Sequence, residues 1–263
     1  MDSFLDSIRD GASKFSSINT PIRIISHLDT DGLTSAAILI KTLNDLDKTF
    51  SLSIVRQLSP QILNELKNEE YETYVFLDLG SGNLKEIDSA LKNRTIFILD
   101  HHIPQQYKNN FIHINPHLYK INDEKEISGA GVAYLFSKAI NPENKNLAFL
   151  AILGAIGDIQ ETKDGFTGLN NEILQDAVVS GKIEIKRGLR MFGSQTKPAY
   201  KVLQYSTDPY IPGITGDPEA SIEFLNQLKI NHTKKLIHLS EEEIKDLVAA
   251  IIIKRMGSEN EPE

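Results

Sequence analysis

At 263 residues the chain has length for one large domain, or a domain with an appendage, and its composition is that of an ordinary folded protein. A formal net charge of −8 excludes a protein that coats nucleic acid non-specifically, while leaving room for a local basic track. The absence of cysteine excludes disulfides and thiolate ligands, so any bound metal must be held by carboxylates and imidazoles, a set that suits manganese, magnesium or zinc. No run of about 18 apolar residues occurs, and residues 1–10 carry no apolar signal-peptide core. The expectation is a cytoplasmic protein with no membrane segment.

The first apolar run, residues 22–26, is short and rich in isoleucine, and it leads into His27-Leu28-Asp29-Thr30-Asp31-Gly32. Beyond it Leu33, Ala36, Ala37 and Ile40 recur at helical spacing. This unit of strand, acidic turn and helix comes again. Residues 52–55 precede a helix over 60–67, residues 74–77 precede one over 84–91, and residues 95–99 are followed by a shorter extended run, 111–114. Strands alternating with helices predict an α/β fold, a parallel β-sheet flanked by helices with right-handed crossovers. From Ser128 onward the pattern turns helical, over 131–139, 146–156 and 170–179. The turn Asp208-Pro209-Tyr210-Ile211-Pro212-Gly213 marks a domain edge. Past it, residues 218–228 and 240–254 read as amphipathic helices, the second opened by the capping sequence Ser240-Glu241-Glu242-Glu243. The expected organisation is an α/β domain over 1–207, a helical extension over 208–256 and a disordered tail over 257–263.

In an open α/β sheet the ligand crevice lies outside the carboxyl ends of the strands. Three acid- or histidine-bearing clusters follow core strands: His27 to Asp31, Asp78, and Asp100-His101-His102. A fourth acid, Asp158, closes an apolar helix. Together they have the residue types of a binuclear metal site, which needs a bridging carboxylate and roughly three or four other ligands to activate water for attack on phosphorus. Alternate spacing lets His27, Asp29 and Asp31 point the same way, and Gly32 permits a sharp turn into the helix. Asp78, ending the third strand, is the natural bridge. Asp100-His101-His102 offers one imidazole ligand, a carboxylate that can set an imidazole's tautomer, and a further histidine to reach a substrate phosphate. Taken singly, an aspartate after a strand is more often a helix cap and a histidine pair is more often surface. Four clusters in register after core elements are harder to dismiss.

The set resembles the four motifs of the DHH phosphoesterase superfamily, whose signature is the triplet Asp100-His101-His102. The likeness covers residues 22–158. Leu77-Asp78-Leu79-Gly80-Ser81, Asn115-Pro116-His117, the segment 127–134 and Ile211-Pro212-Gly213-Ile214-Thr215-Gly216 extend it to about residue 250, in the archaeal RecJ-like branch that includes the GINS-associated nuclease. The resemblance implies His27 and Asp29 on one ion, Asp31, His101 and Asp158 on the other, and Asp78 bridging both. It places His102 on the scissile phosphate and Asp100 behind the histidines. It also implies two divalent ions, manganese by usual choice with magnesium as the alternative, and a single-strand exonuclease acting on DNA or RNA in replication, repair or RNA processing. Two other functions stay open. One is hydrolysis of pyrophosphate or short oligonucleotides with the same metal set. The other is a replisome component that binds GINS and the MCM helicase with little catalysis of its own, against which the intact ligands at all four motifs argue. The chain departs from the family in having no Gly-Gly dipeptide. The expectation is therefore a chain without the substrate-binding domain that carries this dipeptide in RecJ-like nucleases, either a fragment or a short natural paralogue.

Further candidates rest on less. Lys182, Lys186, Arg187, Arg190, Lys197 and Lys201 set six bases against one acid, Glu184, within twenty residues. They read equally as a phosphate-backbone track, with Arg187 and Arg190 at its centre, or as a solvated helix face. Ser128 and Gly129 open a helix whose amides could receive a phosphate, with simple capping by Ser128 as the competing role. His117 could approach the site from the Asn115-Pro116 turn or be a loop residue, and His113, His232 and His238 read as structural.

Overall fold

The computed structural model describes residues 2–162, 165–185, 189 and 191–256, so Lys186, Arg187, Arg190 and the expected tail 257–263 lie outside the described residues. The chain divides into two compact units, Met1–Glu184 and Ile185–Glu263.

In the first unit five parallel strands, β1 (Ile22–His27), β2 (Phe50–Val55), β3 (Thr73–Leu77), β4 (Thr95–Leu99) and β5 (Ile112–Ile114), form one sheet in the order β2-β1-β3-β4-β5. Seven helices accompany them among the described residues: α1 (Asp2–Ser16), α2 (Thr30–Asp45), α3 (Pro60–Lys67), α4 (Leu84–Ala90), α5 (Gly129–Ile140), α6 (Ala148–Gly157) and α7 (Gly168–Val179). Strands covered on both faces have no reason to alternate polar and apolar residues, which is why β3 and most of β4 read as continuous apolar runs. Ile22, Ile24, Val75, Leu77, Phe97 and Leu99 bury one face of the sheet with α1, α2 and α5. Ile25, Tyr74, Phe76, Ile96 and Ile98 bury the other with α3 and α4. A further core joins α2, α5, α6 and α7 through Ile38, Ala130, Tyr134, Ile152 and Ile173.

Helix α1 was not anticipated from the sequence, although Phe4, Ile8, Ala12 and Phe15 share one of its faces and are all buried. Burying each of the large side chains contributes about 1.5–3 kcal/mol. Phe15 meets Phe97 and Phe136 edge-on, with centroids 5.2 and 5.3 Å away. The strand order reverses between β1 and β3, so the crossovers leave in opposite directions and open a crevice at the strands' carboxyl ends. Ser26 lies opposite Leu77, and Leu77 opposite Leu99, which brings His27, Asp78 and Asp100 to one level at that crevice.

The second unit is helical, with α8 (Ala199–Gln204), α9 (Pro218–Gln227) and α10 (Glu241–Met256). The expected cap of α10 forms reciprocally, Glu243 N donating to Ser240 Oγ at 3.1 Å and Ser240 N to Glu243 Oε2 at 2.7 Å. The units part at Glu184 and Ile185, earlier than the edge expected at 208. The reason is that Met191, Ala199, Val202 and Leu203 bury with Leu225, Ile230, Leu247 and Ile251 in the second core. Among the described residues no helix is long and apolar enough to cross a membrane.

Candidate metal centre

The turn after β1 sets the first three donors. Asp29 is the N-cap of α2, its Oδ1 accepting from Gly32 N at 2.9 Å, and Ser26 Oγ donates to Gly32 O at 2.7 Å to pin the turn. Capping uses one oxygen of Asp29 and leaves Oδ2 only 2.9 Å from His27 Nδ1. Asp31, in the first turn of α2, is fully buried. The first two amides of α5 close on its carboxylate, Gly129 N at 2.6 Å from Oδ2 and Ala130 N at 2.9 Å from Oδ1. A helix N-terminus is a natural anion site, and here the anion is a side chain of the same protein. Of the two roles read for Ser128 and Gly129, this leaves the capping one. The Gly129 amide is spent on Asp31, and Ser128 caps α5 by accepting from Gly131 N at 3.2 Å.

Asp78 follows β3 with φ 56°, a left-handed backbone that non-glycine residues rarely adopt. The turn places its buried carboxylate between two imidazoles, Oδ2 3.4 Å from His27 Nδ1 and Oδ1 3.4 Å from His101 Nε2. His101 Nε2 also stands 3.2 Å from Asp158 Oδ2, at the end of α6, and 3.7 Å from Asp31 Oδ2. Its Nδ1 lies 3.3 Å from the carbonyl of Asp123. A carbonyl only accepts, so Nδ1 carries a proton and Nε2 is the nitrogen left for a metal. Gln160 Nε2 donates to the same carbonyl at 2.7 Å, and Asn170 Nδ2 donates to Gln160 Oε1 at 2.6 Å, both side chains buried. Sequence reasoning missed this support because a backbone carbonyl has no side-chain signature.

The donors fall into two triads, His27, Asp29 and Asp78, and Asp31, His101 and Asp158, each with ligand atoms within 4.8 Å of one another. Asp78, His101 and His102 form a third, overlapping group. Asp100 is fully buried and works from behind. It accepts from Ser81 N at 2.9 Å and His101 N at 2.8 Å, and it holds His102 Nδ1 at 2.7 Å. The His102 side chain remains 55% exposed, free to meet a ligand.

Crowded carboxylates shape the titration of the metal-free protein. Asp78 at 3.4 Å, against burial and with Asp29 adding, pushes His27 from 6.5 up to about 9. Burial would depress His101, but Asp158, Asp78 and Asp31 push it up to about 11. Burial, and then the charges of Asp78 and Asp158, raise Asp31 well above the usual carboxylate range. Burial would raise Asp100 too, yet its bond to His102 holds it low. His102 is raised in return. His27 Nδ1, His101 Nε2 and both oxygens of Asp78 are buried without a hydrogen-bond partner. Convergent carboxylates and imidazoles left in this way fit divalent cations of the manganese, magnesium and zinc type.

Other candidates lie elsewhere. His117 Nε2 stands 2.9 Å from Asp123 Oδ2 and enters neither triad. In the basic segment Lys182 and Lys201 are exposed. Lys197 Nζ lies 5.0 Å from the ring centroids of both Phe192 and Tyr205, two exposed aromatics. Arg187 and Arg190 lie outside the described residues.

A parallel sheet with acids and imidazoles converging at its switch point defines a class of α/β proteins built around a polar centre. Within that class the chain belongs to the DHH family: the family's N-terminal domain matches residues 21–156, and the DHH-CID domain matches residues 191–263. An uncharacterized protein of Methanocaldococcus jannaschii is 35% identical over 246 residues, which cover 91% of this chain and 55% of the relative. The chain thus matches about half the length of that relative. The single-stranded-DNA-specific exonuclease RecJ of Thermus thermophilus is 31% identical over 149 residues, covering 52% of this chain and 22% of RecJ. A crystal structure of RecJ from the same bacterium in complex with Mn2+ shares the fold at a TM-score of 0.54 and 20% identity, over 95% of this chain and 38% of that one. CDC45 from Entamoeba histolytica does so at a TM-score of 0.64 and 14% identity, over 98% of this chain and 57% of that one.

Proposed function

We propose that this chain is a metal-dependent phosphodiester hydrolase acting as a single-strand exonuclease in the cytoplasm. The observation that carries the proposal is the carboxylate of Asp78, buried between His27 and His101 with neither oxygen hydrogen-bonded. His27 and Asp29 would hold one ion, Asp31, His101 and Asp158 a second, and Asp78 would bridge them. Divalent ions in such a site supply Lewis acidity toward a phosphodiester and make water a nucleophile near neutral pH. The protein's part is to hold and orient. The α5 amides fix Asp31, the Asp123 carbonyl fixes the tautomer of His101, and Asp100 fixes the ring of His102. Asp100 raises the pKa of the exposed His102 and so favours the protonated ring, which can donate a hydrogen bond to a phosphate oxygen. Manganese is the ion we favour, given that the likeness includes a RecJ structure bound to Mn2+. Lys182, Lys186, Arg187, Arg190, Lys197 and Lys201 would contact the strand's phosphates.

Manganese or magnesium with pyrophosphate, a dinucleotide, and long single strands of DNA and of RNA separates this proposal from its rivals. Release of mononucleotides from a long strand is the expected result, and hydrolysis of pyrophosphate alone would overturn the exonuclease. Elemental analysis should find two ions per chain. His102→Ala should keep both while slowing turnover, and loss of one ion would reverse the roles of His101 and His102. The rival reading, binding to GINS and the MCM helicase, is compatible with catalysis, and co-purification with those proteins tests it.

A further inference from the structure

Behind His102 runs a closed ring of hydrogen bonds, of which the roles assigned above use only the part through Asp100. Ser81, in the turn after β3, donates its backbone amide to Asp100 Oδ2 at 2.9 Å. The other oxygen of Asp100 holds His102 Nδ1 at 2.7 Å. The main-chain carbonyl of His102 accepts from Asn115 Nδ2 at 2.8 Å, and the same nitrogen donates to Ser81 Oγ at 2.8 Å, which closes the ring. Ser81, Asp100 and Asn115 are each fully buried. Ser81 Oγ also lies 2.8 Å from Nε2 of His113, on β5.

We propose that Ser81, Asn115 and His113 are positioning residues that lock both the ring and the main chain of His102 toward the substrate phosphate. The proposal rests on the role given above to His102. Donor and acceptor capacity supports a single arrangement. An amide nitrogen has two hydrogens, and those of Asn115 go to Ser81 Oγ and to the His102 carbonyl. Its oxygen accepts from His117 N at 2.9 Å, so a flipped amide would lose its bonds to the His102 carbonyl and from His117 N. The buried Ser81 hydroxyl satisfies its hydrogen by donating to His113 Nε2, which is then the unprotonated nitrogen of a neutral imidazole. Burial lowers the pKa of His113 and favours that neutral form. His113 thus sets the direction of the Ser81 hydroxyl, and Ser81 grips His102 twice, through Asp100 at the ring and through Asn115 at the main chain. Groups that orient a catalytic or liganding histidine from behind change activity or affinity about 10- to 100-fold when removed.

The test uses the full chain with His113→Leu, His113→Gln and Ser81→Ala, each checked for unmoved thermal unfolding and for two metal ions per chain. Glutamine places an acceptor near the position of Nε2, and leucine does not. In histidine-labelled, Mg2+-loaded protein, the His102 Nδ1 proton held by Asp100 should give a sharp low-field NMR resonance in the wild type and in His113→Gln. That resonance should broaden or vanish in His113→Leu and Ser81→Ala. Single-strand cleavage should follow the same split, kcat falling about 10- to 100-fold for the two disruptive variants with KM and metal affinity little changed. If His113→Leu misfolds, Ser81→Ala alone carries the test, since it removes one buried oxygen atom. A wild-type resonance unmoved in Ser81→Ala, or a His113→Gln variant as impaired as His113→Leu, overturns the relay. Absence of cleavage by the wild type would sink the nuclease assignment while leaving the NMR comparison to decide the relay.

Discussion

Asp78 joins two unusual features, a left-handed backbone at φ 56° and a buried carboxylate without a hydrogen bond. Such a backbone costs of order 1–3 kcal/mol, offset here by what the turn accomplishes, which is to aim one oxygen at each imidazole. Asp78→Asn keeps a residue that tolerates this conformation and removes the charge. Cleavage should drop by on the order of a thousandfold. Stabilisation by Mn2+ should disappear in thermal unfolding of the variant. Undiminished cleavage would exclude the binuclear assignment. A pH effect follows from the same crowding. In the metal-free protein His27 titrates at about 9 and His101 at about 11, both above the ordinary 6.5. The folded chain therefore binds more protons than the unfolded one, and their stabilising contribution is full below pH 6.5 and lost as pH rises through 9 and beyond. The unfolding temperature in EDTA should fall between pH 6.5 and 9, and the increment produced by Mn2+ should grow over that range because the metal displaces those protons. An increment independent of pH would show that His27 and His101 are not ligands.

At the scale of elements, the site depends on how closely α6 and the N-terminus of α5 approach α2. Gly154 of α6 makes this approach feasible. A methyl group there would collide with Asp31 Oδ1, would lie 2.6 Å from Ala130 Cβ and 2.8 Å from Thr34 Oγ1, and Asp31 cannot yield while two α5 amides hold it. We expect Gly154→Ala to weaken Mn2+ binding about 10- to 100-fold in calorimetric titration. Helix α1 supplies the contrast. Phe15→Ala empties a fully buried position between Phe97 and Phe136 and should cost about 3–5 kcal/mol in denaturant unfolding, with metal affinity unchanged because no donor sits on that helix. Equal effects of the two substitutions on affinity would mean that metal binding reports only general stability.

For the molecule as a whole, the donor atoms lie in the first unit and most of the basic segment in the second. Charge reversal at Arg187 and Arg190 together should weaken single-strand binding and flatten its salt dependence, each lost phosphate contact lowering the log–log slope by roughly 0.7. An unchanged slope would return the segment to a solvated surface. By itself the sequence was enough for the parallel α/β architecture, for strands β3 and β4 almost to the residue, and for the set of six acids and imidazoles now found together at the switch point. The cause is local chemistry, since buried strands must be apolar and donor side chains must stand where those strands end. It did not disclose α1, whose apolar face is plain only once there is a sheet for it to cover, nor the edge of the second unit, which follows from the burial of Met191 and Leu203. The tertiary structure alone decided which partner each donor takes. Asp31 is held by an amide 98 positions away, His101 by the carbonyl of Asp123, and His102 by a ring of bonds running through Ser81 and Asn115. Several of those partners are backbone groups, which every residue type carries alike, so only the folded chain can bring a particular one to a particular side chain.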